Sequence, residues 1–401
     1  MNKTVLISGA SIAGPALAYW LRQYGYEPTV VELAPALRGG GQAVDFRGET
    51  HFTVLERMGV LPELRKLRTG GSRIRFVDED GRTRLDLPAD FTGGELEVLR
   101  GDLARVLYEH SLPGTEYVFG DSVTGLTETA TGVRADFRHG APREFGLVIG
   151  ADGLHSQVRR LAFGPEESYV SHLGYYAAIW QFPADELGPV RGPAAYNEPG
   201  LVAAVGPDAR DPELAAAMLL FASPRLEYDR HDAEQHKQIL NEAFSGAGWE
   251  VPRLLRTLRG TRELYFDSIS RADVPTWSKG RIALAGDAAC GATVGGGGTG
   301  CAVVGAYVLA GELARAQGDF GAAFAAYESR LRPYARVCQQ GGDRVGKFFA
   351  PRTRAGLRFR NALFSNRLFV KAMIGMGKKV SSTVELPDYA SEAAGSGTAR
   401  H

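Results

Sequence analysis

Thr4-Val5-Leu6-Ile7-Ser8-Gly9-Ala10-Ser11-Ile12-Ala13-Gly14, closing 18 positions later on Glu32, is the stretch from which the fold is read. Thr4–Ser8 is a short β-branched and apolar run, the pattern of a buried strand. Gly9 to Gly14 is a turn of G-x-S-x-x-G type. Leu17, Trp20, Leu21 and Tyr24 recur at helical spacing, Pro15 falls in the first turn where its missing N–H costs nothing, and Gly25 fits a C-terminal cap. Pro28–Leu33 is a second strand, so the unit is βαβ. Gly9 permits the tight turn, Ser11 is small enough for backbone to approach a pyrophosphate, and Gly14 lets helix and strand pack closely. Ile12 and Ala13 open a helix whose free N–H groups and positive dipole end suit phosphate oxygens. A carboxylate at Glu32 can accept hydrogen bonds from both ribose hydroxyls of an adenosine and repels a 2′-phosphate. The unit reads as a dinucleotide site without separating FAD from NAD; a plain βαβ turn without ligand is the alternative.

Composition sets the bounds. A chain of 401 residues exceeds one ordinary core, and 44% apolar content is enough for a large one. Its 46 basic and 46 acidic residues cancel, so no global field favours nucleic acid or an anionic surface. Glycine is in excess, with 51 residues against a usual share of roughly 7%, and it clusters at 291–300, which suggests backbone brought close to a ligand. Cys290, Cys301 and Cys338 are the only cysteines; neither they nor the eight histidines have metal-site spacing. With no secretory signal pattern at the N-terminus, a reduced cytoplasmic protein is expected. No run fits an integral membrane span.

Along the chain, residues 35–48 are loop-rich and Thr50–Met58 reads as a helix. Arg73–Asp78 and Arg82–Leu87 flank Glu79-Asp80-Gly81 as a hairpin. Asp102–His110 is an amphipathic helix, Tyr117–Phe137 holds two or three antiparallel strands, and Leu147–Gly150 is a short buried one. Residues 170–225 alternate like strands, two helices follow at 233–243 and 252–258, and Arg281–Ala285 is a strand entering the glycine loop. Helices are expected at 301–316 and 320–334. Basic, apolar helices fill about 340–380, either packed back across both domains or lying on a membrane surface.

Three further segments resemble the class A flavoprotein monooxygenases of the para-hydroxybenzoate hydroxylase fold. The likeness is greatest to the single-chain tetracycline-inactivating type and its actinobacterial relatives. Leu147-Val148-Ile149-Gly150-Ala151-Asp152-Gly153, with Ser156 and Arg159, matches that family's D-G motif. Gly280 to Ala289, containing Gly286-Asp287, matches its G-D motif, and Arg100-Gly101-Asp102-Leu103 matches the arginine that opens a helix beside the flavin. Arg38, ahead of Ala43 to Gly48, also fits. The resemblance implies an α/β protein: a Rossmann-like FAD-binding domain with a mixed parallel sheet, plus a substrate domain with an antiparallel β-sheet and C-terminal helices. The expected division is residues 1–70, 99–165 and 271–340 for the FAD-binding domain and 71–98 and 166–270 for the substrate domain. C-terminal helices at 341–385 and a tail without fixed structure at 386–401 complete it.

The resemblance further implies FAD as cofactor and NAD(P)H as transient reductant. Oxygen from O2 is expected to enter a bulky aromatic or polyketide-like small molecule through a flavin C4a-hydroperoxide. The cofactor-binding residues expected are Gly9, Ser11, Ile12, Ala13, Gly14, Glu32, Arg38, Arg100, Asp152, Asp287, Gly296, Gly298, Thr299 and Gly300. Asp287 would accept from ribityl hydroxyls, Arg100 would lie near the pyrophosphate or ribityl chain, and Asp152-Gly153 between FAD and the nicotinamide donor. The plainer alternative for both carboxylates is a strand-end turn or cap. Arg47, Gln181, Tyr196 and Phe221 are the substrate candidates, with Arg47 alternatively meeting a FAD phosphate. Alternation at Tyr175–Gln181 puts Tyr176, Ala178 and Trp180 on one face and Tyr175, Ile179 and Gln181 on the other, one of which meets the flavin ring.

One departure stands out. Cys290 to Gly298 lacks the proline that relatives carry after the G-D motif, and four successive glycines loosen the loop. Non-oxygenating flavin chemistry (an oxidase, dehydrogenase or cyclase) is therefore a competing reading, and an NAD-binding dehydrogenase or sensor a second. Cys290 either faces the flavin or is a small buried thiol. No nucleic-acid partner is expected, and the chain is expected to be a monomer or dimer.

Overall fold

The computed structural model describes residues 2–380 except 40, 72, 189, 191, 209, 262 and 292–296, together with 384, 386–389 and 391. Thr4–Ser8 pairs in parallel with Glu27–Glu32 on one side and Leu147–Gly150 on the other. Glu116–Phe119 and Ile282–Leu284 extend the sheet in the same sense, and Ser278–Lys279 adds an antiparallel edge. The central strands are continuous apolar runs because the parallel sheet is buried on both faces, and Val123, Val133, Ala135 and Phe145 of a separate three-stranded antiparallel sheet belong to the same core. Helix Ala13–Gln23 packs there against the 18-residue helix Gly298–Arg315, which is buried along nearly its whole length.

The second sheet has seven strands, in the order Leu264–Ala272, Val170–Pro183, Leu214–Ala222, Leu201–Pro207, Ala194–Glu198, Ile74–Val77 and Thr83–Leu87. Pairing is antiparallel throughout except between Ala194–Glu198 and Ile74–Val77. Alternation sorts its side chains into two cores. Tyr176, Ala178, Trp180, Tyr196, Leu219 and Phe221 lie under helices Ala233–Ala243 and Val251–Gly260. Tyr175, Ala177, Phe76, Val202, Leu220 and Ile269 face the other way, toward Phe348, Phe349 and the C-terminal helices.

Two expectations are corrected. The boundary at 340 falls inside one 30-residue helix, Phe320–Phe349, which runs through Pro333. Proline removes one i→i−4 hydrogen bond, but buried Leu331, Tyr334 and Ala335 hold the helix through that point. Farther along, Gly346 lies so close to the Tyr175 ring that a β-carbon would overlap it. The tail expected at 386–401 is also too long. Leu386 packs on the core around the parallel sheet, and Tyr389 is only 2% exposed, with its hydroxyl donating to Glu312 Oε1 at 2.6 Å. Gly311 provides the notch, since a β-carbon there would overlap the Tyr389 ring. Tyr307 adds a hydrogen bond from its hydroxyl to Pro387 O at 2.6 Å.

Tyr389→Ala empties this notch and leaves the buried Glu312 with one donor fewer. We expect a loss of about 3–5 kcal/mol in urea unfolding, the usual cost of deleting a buried aromatic ring. An unchanged midpoint would contradict the docking.

Candidate active site

The register of the parallel sheet assembles the site. Ser8 stands beside Val31 and Gly150, and Gly150 beside Leu284, so the four strands end together. Ligands of open α/β sheets bind outside these C-terminal ends. Gly9, Glu32, Asp152 and Asp287 therefore all follow onto one edge although they are far apart in sequence.

Gly9 has φ +106°, and a β-carbon on it would lie 2.5 Å from Ala151 O. A β-carbon on Gly14 would overlap the Gly9 carbonyl. Ser11, Ile12, Ala13 and Gly14 present N–H groups that have no acceptor inside the helix. Glu32 closes the turn: its carboxylate accepts from Ala10 N at 2.8 Å and Ala34 N at 2.9 Å. Arg100, at the start of helix Arg100–Ser111, reaches across and donates to Ser11 Oγ at 3.1 Å. Asp287 opens the short helix Asp287–Cys290; burial pushes its pKa up and the Arg100 guanidinium draws it back. Arg38 is exposed and stands outside this group of contacts.

The Asp152 carboxylate accepts from Gln157 N at 2.9 Å, Val158 N at 3.1 Å, Ser8 Oγ at 3.2 Å and the Ser156 hydroxyl. Ser156 is the N-cap of helix Gln157–Ala162, accepting from Arg159 N at 3.0 Å, and Asp152 takes the two N–H groups that open the helix, so a strand-end turn accounts for the contacts of this carboxylate. Burial raises its pKa while these donors pull it down. Arg159 of the same motif is fully buried and spans two segments, donating to Leu154 O at 2.5 Å in the turn after Asp152 and to Ala288 O at 2.9 Å in the short helix after Gly286. It thereby ties the segment carrying Asp152 to the one carrying Asp287.

Of the glycine loop, Gly296 lies outside the described residues. Gly297 takes a left-handed conformation (φ +68°), and helix Gly298–Arg315 starts immediately, with Thr299 half-buried and Gly300 buried. A β-carbon on Gly300 would overlap the His51 ring. His51 Nδ1 accepts from Arg47 N at 3.1 Å, which leaves Nε2–H to donate to the Tyr334 hydroxyl at 2.5 Å. Burial lowers the His51 pKa to about 4, so the ring is neutral at neutral pH. Arg47 itself is ion-paired with Asp45 and donates to Phe91 O at 3.0 Å. Cys290 is buried, with its Sγ 3.8 Å from Cys301 Sγ.

The sheet face turned toward this edge is close-packed near Tyr175 and opens farther along. Ile179, Met218, Ala216, Ala204, Gly206 and Tyr265 are only partly buried there, and cross-strand pairing puts them on one side. Tyr265 lies within electrostatic reach of Arg100 and Asp287, and burial raises its pKa. Gln181 is on this face and donates to Asp208 Oδ2 at 2.7 Å; nearby Arg210 pairs with Asp102 beside Arg100. Tyr196 and Phe221 are corrected: both face the opposite core. Tyr196 stacks on Trp249 and donates to Glu198 at 2.8 Å, and Phe221 stacks on Tyr176. Alternation separates two faces but does not say which is inward; the two covering helices decide that here.

Sequence reasoning missed Tyr265, His51 and the His155 cluster. Burial alone would lower the His155 pKa, but hydrogen bonds with Asp267 (3.3 Å) and Glu166 (3.0 Å) outweigh it and raise it. Asp267 lies two residues beyond Tyr265, so the cluster fastens the open strand to the loop after Asp152. No sequence signal marked these residues, since each is a lone polar group in an otherwise ordinary element.

Residues 2–340 match the family model described as FAD binding domain. An uncharacterized protein of Mycobacterium tuberculosis is 42% identical over 339 residues, covering 83% of this chain and 90% of that protein. A flavin-dependent monooxygenase of Legionella longbeachae is 34% identical over 396 residues, covering 97% and 99%. The crystal structure of tetracycline destructase Tet(55) superposes with a TM-score of 0.83 at 34% identity, covering 97% and 99% of the two chains.

The depressed His51 pKa has a pH consequence. His51 stays neutral when folded down to about pH 4, whereas an unfolded histidine protonates near pH 6.5. Its contribution is therefore complete above pH 6.5 and declines by about 3 kcal/mol on acidification to pH 4. His51→Gln should flatten this part of the stability profile relative to the parent; parallel profiles would contradict the assignment.

Proposed function

Because the chain belongs to the FAD binding domain family of flavin-dependent monooxygenases, we propose that it uses FAD, reduced by NAD(P)H, to insert one oxygen atom of O2 into a bulky aromatic or polyketide-like small molecule. The observation that carries this reading is the convergence of the Gly9–Gly14 turn, Arg100 and Asp287 on the open half of the sheet face beside Tyr265. Bound flavin supplies hydride acceptance and oxygen activation, chemistry that no side chain offers.

The residues fit that cofactor. A carboxylate has about four acceptor positions, so Glu32, which uses one on each oxygen, keeps room for two ribose hydroxyls. The N–H groups of Ser11 to Gly14 suit the pyrophosphate, with the Arg100 cation alongside. Asp287 suits a ribityl hydroxyl. The start of helix Gly298–Arg315 offers N–H groups where negative charge gathers on the reduced ring. Neutral His51 sets the backbone of Arg47 against that helix start. The bond from Arg47 to Asp45 favours a positioning part over direct pairing with an anionic substrate.

The open face supports a flat, bulky substrate. Ala204, Gly206 and Ala216 form a low floor, bordered by Ile179, Met218 and Tyr265. A fused-ring polyketide of the tetracycline kind is the first candidate to try, given the likeness to Tet(55). Gln181, held by Asp208, stands at the rim where its carbonyl can accept a substrate hydroxyl. We place the enzyme in the cytoplasm, as a monomer or dimer.

Turnover under labelled dioxygen tests the reading. NADH or NADPH should be consumed with substrate, and one labelled atom should appear in the product. A product without label would leave oxidase or cyclase chemistry. Ala216→Trp, which fills the floor, should lower kcat/KM at least tenfold while the bound flavin spectrum stays the same; unchanged turnover would remove the open face as the substrate site.

A further inference from the structure

Charge in this chain balances only in sum. From Arg344 to Val384 there are ten lysines and arginines and no acidic residue, so the other 36 basic residues face all 46 acidic ones. This segment forms the end of helix Phe320–Phe349 and the two helices Arg354–Phe364 and Arg367–Val380.

The inner sides of the two C-terminal helices are accounted for. Phe364, Val370 and Ile374 pack on the core that contains Phe76, Leu85 and Leu87. Arg360 turns inward over the Phe76 ring at 4.1 Å and donates to Asn197 Oδ1 at 2.8 Å. The outer sides are different. Ala355, Phe359 and Ala362 run along the first helix, and Leu368, Ala372 and Met376 along the second, at helical spacing and exposed. Phe359 is 70% exposed, Leu368 78% and Met376 55%. Arg354, Arg358, Arg367 and Lys371 are interleaved with them, and among the described residues none has an acidic partner. Single exposed apolar residues need no explanation, but a row of them flanked by unpaired cations does.

We propose that this outer face docks on an anionic lipid bilayer surface, with the cations at the headgroups and Phe359, Leu368 and Met376 entering the headgroup–acyl boundary. The cations select the charge of the partner, and juxtaposed lysine and arginine side chains bind acidic headgroups cumulatively. The apolar row selects lipid over nucleic acid, which offers such side chains nothing at helical spacing. A second copy is disfavoured because two such faces repel. The excess of acid on the rest of the chain orients this face toward a negative surface. The inference is independent of the reaction catalysed.

Vesicle flotation of the full-length flavin-loaded protein is the test. Binding is expected to vesicles of phosphatidylcholine with phosphatidylglycerol in low salt, and not to phosphatidylcholine alone. It should weaken at least tenfold both in Phe359→Ser/Leu368→Ser/Met376→Ser and in Arg354→Gln/Arg358→Gln/Arg367→Gln/Lys371→Gln. Flavin content and thermal midpoint serve as folding controls. Should a variant fail these controls, loss of parent binding between 50 mM and 500 mM salt (roughly a threefold shortening of the Debye length) stands in its place. No binding by the parent protein, or equal binding by well-folded variants, overturns the proposal. So does salt-sensitive binding to duplex DNA without vesicle binding, or a dimer that the triple serine variant dissociates.

Discussion

The structure depends first on an absence of atoms at residue 14. Any side chain there would overlap the carbonyl of Gly9, and any at Gly9 would meet Ala151. These two contacts let the first helix lie close on the sheet and bring the strand of Thr4–Ser8 against that of Leu147–Gly150. The other site segments hang on this arrangement. Glu32 closes the turn from the neighbouring strand, and Arg159 joins the turn after Asp152 to the short helix opened by Asp287. A buried arginine is expensive unless its donors are used, and its two terminal nitrogens bond Leu154 and Ala288, which fixes the spacing of those two segments.

Much of this was legible in the sequence because it is written in residues with few alternatives. Glycines at a crowded turn, a carboxylate at the end of the second strand, and the short motifs at 147–153 and 280–289 each impose a local geometry, and the structure brings all four to one edge. What was not legible is long-range. The parity of the substrate sheet is the clearest case. Tyr196 and Phe221 look like good pocket residues, yet helices Ala233–Ala243 and Val251–Gly260 cover their face. Nothing local to either strand records that.

Asp152 shows a second kind of limit. A carboxylate after a buried strand suits a ligand and suits a turn leading into a helix equally well, and four donors from Ser8, Ser156, Gln157 and Val158 occupy it here. The hidden neutral histidine is a third. His51 is one lone residue in an ordinary helix, and its importance comes from Tyr334, nearly three hundred positions away. The overlong tail has the same cause: Tyr389 immediately precedes an Ala-, Ser- and Gly-rich run, and only the notch at Gly311 reveals its place.

That notch bears on the order of events during synthesis. The strand of Thr4–Ser8 cannot acquire both neighbours until Leu147–Gly150 has been made, and the sheet waits for Ile282–Leu284 to extend further. Helix Gly298–Arg315 then remains open at Gly311 until Tyr389 leaves the ribosome. Contacts this distant in sequence form slowly, and the incomplete intermediates expose apolar surface. The first segment translated is thus among the last to reach its final stability, and a nascent chain must be kept from aggregating for most of its length.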